Sequence, residues 1–133
     1  LRTILLDTQI ILWFLLEDPK LPPIIKELCK EDQVRLLFHQ VSLWEIQIKY
    51  DLGKLPLPEM PGYFLVNACI QSGLEKSVMQ DEAIFFLTRL PNIHRDPFDR
   101  LLLSHAMING WEFATTDEIL KKYPVRILEN IKT

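Results

Sequence analysis

Short apolar runs of strand length recur along this chain, separated by segments with the residue spacing of helices. "TILLD", "VRLLF", "WEFATTD" and "VRILE" are the clearest of these runs, and "LEKSV" is a shorter candidate. Each is bounded by polar or turn residues and is too brief for a buried helix, so each is read as a strand. Between them fall "TQIILWFLLED", "PPIIKELCKED", "SLWEIQIKYDLGKL", "YFLVNACIQSG", "SVMQDEAIFFLTRLP" and a stretch from Pro97 to about Asn109, all with helical patterning. Strands joined through helices pair in parallel, because a parallel connection must cross back over the sheet. The expected fold is therefore α/β: a three-layer α/β/α sandwich with a mainly parallel central sheet, forming a single domain over residues 1–133. "VRILE" is expected at the edge.

Local signals sharpen the element ends. Gly53, Gly73 and Gly110 stand where helices should stop, and Pro23 and Pro97 where helices should start. Ser42 to Glu45 and Ser77 to Gln80 have the form of capping boxes.

Bulk composition removes several classes of function. With 48% hydrophobic and 25% charged residues, the chain can build a core without cross-links and is not a disordered tether. Its 15 basic and 18 acidic residues leave a formal charge of −3, which gives no general attraction to nucleic acid. A nucleic-acid partner would need a local basic patch or bound cations. Cys29 and Cys69 form no C-x-x-C pair and read as buried or free thiols of a reducing cytosol. His39, His94 and His105 have no zinc-binding spacing. The longest apolar run, Ile10 to Leu16, is far below the roughly 20 residues of a membrane span. A cytoplasmic protein with no membrane partner is expected.

The acidic residues carry the chemical signal. In open α/β sheets, ligands gather outside the carboxyl ends of the strands. Asp7 ends the first strand and Asp117 the "EFATT" strand, while Glu45 and Asp99 fall in the first turns of helices. Four carboxylates meeting in one cleft would repel one another unless a divalent cation neutralised them or their pKa values rose. Carboxylate oxygens without a thiol or imidazole cluster favour Mg²⁺ or Mn²⁺, and such an ion can activate water toward a phosphodiester. Each acid also has a plainer reading. Asp7 could cap the next helix, Glu45 could complete a capping box, Asp96 is a natural cap before Pro97, and Asp117 could be a turn residue.

Other features read as structural. Trp13, Trp44 and Trp111 are expected as core or interface anchors rather than base-stacking platforms. Lys49 follows Glu45 by four residues, the favourable order for a helical ion pair, and is expected as a surface brace. His94 is expected as an exposed loop residue. "KYDLGK" and "LKKYPVR" are modest basic clusters, and are RNA contacts only if the acids are catalytic.

In order along the chain, "LLDTQIILWFL", "VSLWEIQIKYDLGKL", "RDPFDRLLLSHA" and "ATTDEILKKYPVRIL" resemble the four signature blocks of the PIN domain, in the form found in VapC-type toxins of toxin–antitoxin pairs. The resemblance runs from Leu5 to Leu128. It implies an α/β/α sandwich and a Mg²⁺- or Mn²⁺-dependent ribonuclease that often dimerises and is held inactive by a cognate antitoxin. Carried over by position, it implies Asp7, Asp99 and Asp117 as metal ligands. Glu45 becomes the further catalytic acid on the helix after the second strand. Asp96 and Thr116 are assigned to capping or to support of the ligands. Many relatives have histidine where this chain has Gln9, which can neither carry charge nor exchange a proton.

Two rivals are weighed against this. Haloacid-dehalogenase-type phosphatases also begin with an aspartate after the first strand, but they need a second aspartate where Gln9 stands. The alternative retained is a catalytically degenerate PIN-like protein-docking module.

Overall fold

The computed structural model describes residues 1–129 and Ile131; the expected domain end at residue 133 lies outside the described residues. Among those described, five strands build one sheet: β1 (Arg2–Leu6), β2 (Val34–His39), β3 (Glu75–Ser77), β4 (Glu112–Ala114) and β5 (Arg126–Ile127). Their order is β3-β2-β1-β4-β5, and every pairing is parallel. The chain lays β2 and β3 on one side of β1, then returns to add β4 and β5 on the other. The reversal opens a crevice at the carboxyl ends of β1 and β4, where such sheets place their ligands.

The helices are α1 (Thr8–Leu15), α2 (Pro23–Leu28), α3 (Gln40–Asp51), α4 (Tyr63–Gln71), α5 (Asp81–Phe86) and α6 (Pro97–Asn109). Successive strand residues point to opposite faces, and both faces are covered. Ile4, Leu6, Leu36 and Phe38 pack with Ile10 and Ile11 of α1, Ile25 of α2 and Cys69 of α4. Leu5, Leu37 and Phe113 point the other way, onto Leu102, Leu103 and Ala106 of α6. Register follows this division, with Leu5 opposite Leu37 on one side and Phe113 on the other. The expected three-layer parallel architecture is what the chain adopts, with β5 at an edge. No helix among the described residues is long and apolar enough to cross a membrane.

Two capping boxes do not form. β2 continues to His39, which pairs with Ser77 of β3, so strand passes into helix without a loop. The cap of α3 is His39 itself, whose Nδ1 accepts from the Val41 N–H at 2.9 Å. Ser42 is thereby drawn inside the helix, buried, and shares a 2.9 Å hydrogen bond with Thr8 Oγ1. Ser77 is likewise held in β3. α5 starts after Gln80, whose N–H donates to His105 Nε2 and whose side chain accepts from Asn109. The start of α5 is thus fastened to α6 rather than capped by its own serine. The proline and glycine signals hold at α6: Pro97 opens it and Gly110 closes it at φ 68°, a left-handed conformation that costs glycine little.

Candidate functional site

At the crevice, each flanking element contributes a carboxylate because of how it begins or ends. Asp7 terminates β1 and caps α1: Oδ1 accepts from the Ile10 N–H at 2.9 Å, and Oδ2 accepts from the Thr115 hydroxyl. Glu45 lies one turn into α3. Asp99 sits in the first turn of α6, whose start is fixed by Asp96 Oδ1 accepting from the N–H groups of Phe98 (2.8 Å) and Asp99 (3.0 Å). Asp117 follows β4; its N–H donates to Thr115 Oγ1 and its Oδ1 accepts from Ile119.

These five acids line one cleft of about 270 Å³ together with Thr8, Gln9, Lys49 and Thr116. Glu45, which read alone fits a capping box better than a ligand, instead lines the cleft from within the helix. Asp7 and Asp117 combine both readings, since each makes local backbone bonds and lines the cleft. Asp96 caps α6 and lines the cleft as well.

Burial without matching cations makes the site electrostatically strained. Asp7 is only 6% exposed. Its pKa is pushed up to about 6, mainly by burial and further by the charges of Glu45 and Asp117; the bonds from Thr115 and Ile10 oppose the rise. Asp99 is pushed up to about 7 by burial, then by Asp96, Glu45 and Asp7, with His94 opposing. Lys49 is the single cationic side chain among the residues lining the cleft. Its Nζ donates to Glu45 Oε2 at 2.7 Å. Burial disfavours the charged ammonium, yet the bond and charge of Glu45, with Asp96 and Asp99, raise its pKa overall. Lys49 is therefore more than a surface brace: it is the counter-charge of the cleft.

The donor chemistry of the cleft suits a hard divalent cation, although among the described residues it is His94, Asp96 and Asp99, rather than Asp7, Asp99 and Asp117, whose ligand atoms lie within 4.8 Å of one another. Asp7, Asp99 and Asp117 offer carboxylate oxygens, the chemistry preferred by Mg²⁺ and Mn²⁺. Glu45 is 4% exposed, and its Oε1 has no hydrogen-bond partner, an expensive state for a buried carboxylate oxygen.

Three contributors escape sequence reasoning. His94 is half-buried rather than exposed, and its Nε2 lies 3.1 Å from Asp99 Oδ2. Ligand atoms of His94, Asp96 and Asp99 lie within 4.8 Å of one another, close enough to share an ion. The loop that carries His94 is held by Tyr123 and by Arg100, which donates to the carbonyls of Pro91 and Leu87. No periodicity links a loop histidine to an acid five residues on. The bond to Asp7 comes from Thr115, whereas Thr116, assigned to support, lines the cleft itself. Strand alternation makes one of the two threonines face inward, which is the signal for Thr115. For Lys49, the spacing from Glu45 was legible but not the burial of its partner.

Comparisons with known proteins bear on the fold and the family. The chain is similar in structure to VapBC2 from Rickettsia felis bound to a DNA fragment from their promoter, with a TM-score of 0.70 and 20% identity over 96% of this chain and 97% of that one. It is also similar to a domain of a functionally unknown protein from Methanocaldococcus jannaschii DSM 2661, with a TM-score of 0.55 and 13% identity over 97% and 92% of the two chains. At these identities the likeness establishes the fold. Among curated proteins, no sequence match is found. The sequence profile of the PIN domain matches residues 4–125, nearly the whole length of the chain. The chain belongs to the PIN domain family.

Proposed function

We propose that the protein is a divalent-metal-dependent endoribonuclease, the toxin of a toxin–antitoxin pair. The observation that carries this reading is the cleft lined by Asp7, Glu45, Asp99 and Asp117, with two of them pushed toward neutral pKa values. PIN domains are generally nucleases, which supports the same chemistry. Asp7, Asp99 and Asp117 would hold Mg²⁺ or Mn²⁺. When bound, such an ion supplies an activated water and offsets the charge that develops on a phosphodiester.

The chain's own residues do the positioning. Thr115 and the start of α1 fix Asp7, and Asp96 fixes the turn that presents Asp99. Glu45, tied on one oxygen by Lys49, keeps Oε1 available to orient a ligand or take a proton. No covalent nucleophile is needed, and the Thr8 hydroxyl in the cleft is engaged with Ser42. A cognate antitoxin as inhibitor is supported by the likeness to the Rickettsia felis complex, and a homodimer by family membership.

The decisive experiment is cleavage of a panel of labelled single-stranded and hairpin RNAs by purified, partner-free protein in Mn²⁺, Mg²⁺ or EDTA, beside Asp7→Asn. Metal-dependent cutting that Asp7→Asn abolishes is expected. Folded protein that neither cuts RNA nor binds Mn²⁺ would instead make this a PIN-like docking module.

A further inference from the structure

The two helices that supply the inner acids carry the same dipeptide pattern: Trp44 precedes Glu45 on α3, and Phe98 precedes Asp99 on α6. Neighbouring residues on a helix point about 100° apart. On each helix an aromatic ring thus stands next in sequence to a carboxylate that lines the cleft, turned away from it by that angle. The two rings meet, with centroids 5.0 Å apart and planes at 83°. Phe98 is half-buried and packs on the α6 side of the core. Trp44 is 57% exposed and joins none of the core's apolar clusters.

A lone exposed apolar side chain carries no message, since such residues are common on protein surfaces. Trp44 differs in that a second ring braces it and a cleft suited to phosphate chemistry lies beside it. Resting on the nuclease reading above, we propose that Trp44, braced by Phe98, is a stacking platform for an unpaired nucleobase next to the phosphate under attack. The substrate is then single-stranded at the cut. An indole offers a face that any base can cover, so the platform selects for an accessible base rather than a particular sequence. A base within a duplex has its faces covered by its neighbours and must leave the stack first. Two cations lie on the elements that carry the rings and acids: Lys49 of α3 lines the cleft, and Arg95 is exposed in the loop just before Asp96. Both favour the RNA backbone where the acids alone would repel it.

The test uses Trp13→Phe/Trp111→Phe, which leaves Trp44 as the sole indole, in an Asp7→Asn background that keeps RNA intact. A short, mixed-sequence single-stranded oligoribonucleotide is expected to quench Trp44 fluorescence in step with binding followed by polarisation of labelled RNA. The same sequence as a duplex should bind more weakly and leave the fluorescence unchanged. Trp44→Leu should weaken single-strand binding by about tenfold or more with melting temperature preserved, and Trp44→Phe should recover most of the affinity; introduced singly, with Asp7 intact, Trp44→Leu should leave Mn²⁺ binding unchanged. Should Trp44→Leu not fold, the quenching and Trp44→Phe measurements carry the test. RNA that binds without quenching, and equally well to Trp44→Leu, overturns the platform and leaves the ring pair as a helix brace or a protein-contact surface; the nuclease reading would survive. Folded protein with Asp7 intact that binds Mn²⁺, yet binds no RNA of either kind with Ca²⁺ in place of Mn²⁺ to hold back cleavage and cuts none with Mn²⁺, overturns both.

Discussion

The Thr115 hydroxyl donates to Asp7 Oδ2 across the junction of β4 and β1, joining two residues 108 positions apart in the sequence. The bond opposes the burial that drives the Asp7 pKa upward. Thr115→Val keeps the shape of the side chain and removes both this donor and the acceptor for the Asp117 N–H. We expect a loss of about 1–3 kcal/mol in denaturant melts. Mn²⁺ affinity by calorimetry should weaken more at pH 6 than at pH 8, because Asp7 then holds its proton more tightly. Equal weakening at both values would mean that the bond does not control Asp7.

Metal-free stability should fall as pH rises. The pKa of Asp7 goes from an ordinary 3.8 to about 6 on folding, so the folded state binds this proton more tightly. Its contribution is most favourable below pH 4, declines between about pH 4 and pH 6, and is flat above. At about 1.4 kcal/mol per unit, the decline is on the order of 3 kcal/mol. Asp99 acts with the same sign and extends the window to about pH 7. Asp7→Asn should therefore be more stable than the native protein at pH 7.5 in EDTA, by roughly 1–3 kcal/mol. An Asp7→Asn protein that melts lower than the native one at that pH would contradict the assignment.

The metal should reverse this penalty, and only where the acids can ionise. Binding requires deprotonated carboxylates, so affinity is tied to the raised pKa values of Asp7 and Asp99. From pH 7.5 to pH 6, Mn²⁺ affinity is expected to drop by about tenfold. Thermal shifts on adding Mn²⁺ should shrink in parallel, and EDTA should abolish them. A pH-independent shift would place the ion elsewhere on the molecule.

Asp96 and Asp99 should separate by function despite being three residues apart. Asp96→Ala removes the cap of α6 and is expected to cost about 1 kcal/mol of stability. It also removes the strongest of the charges that raise Asp99, so the pH midpoint for Mn²⁺ binding should move down. Asp99→Asn should not lower melting, and in EDTA above pH 7 should raise it as Asp7→Asn does, while abolishing Mn²⁺ binding. If Asp96→Ala alone eliminated binding, Asp96 would be a ligand, in keeping with its closeness to His94 and Asp99.

The layered architecture was legible because β1, β2 and β4 lie in apolar runs bounded by turn residues, whereas β3 is the polar Glu75–Ser77 and is set by its pairing with β2. The acids were legible because strand ends and helix starts are where sheet topology concentrates ligands. Helix starts were less so: His39 carries no sequence signal as a cap, and Ser42 and Ser77 offered false ones. What decided those ends was pairing between β2 and β3, which is non-local and leaves no mark in a short window. Cleft partners such as His94 and Thr115 were hidden for the same reason. They reach Asp99 and Asp7 through a loop fastened by Arg100 and Tyr123, and through a strand that pairs with β1 from the far end of the chain.

The strand order has a consequence for how activity and folding are coupled. Asp7 and Glu45 arrive with the first half of the chain, and Asp99 and Asp117 with the last third. They converge only once β4 docks beside β1, where the Asp7 N–H donates to the Ala114 carbonyl at 3.0 Å. A nascent chain still emerging from the ribosome, or a fragment clipped in the loop before α6, holds half a site and no catalyst. On the nuclease reading, activity then depends on that closure, and any species that has lost it is inert as well as unfolded.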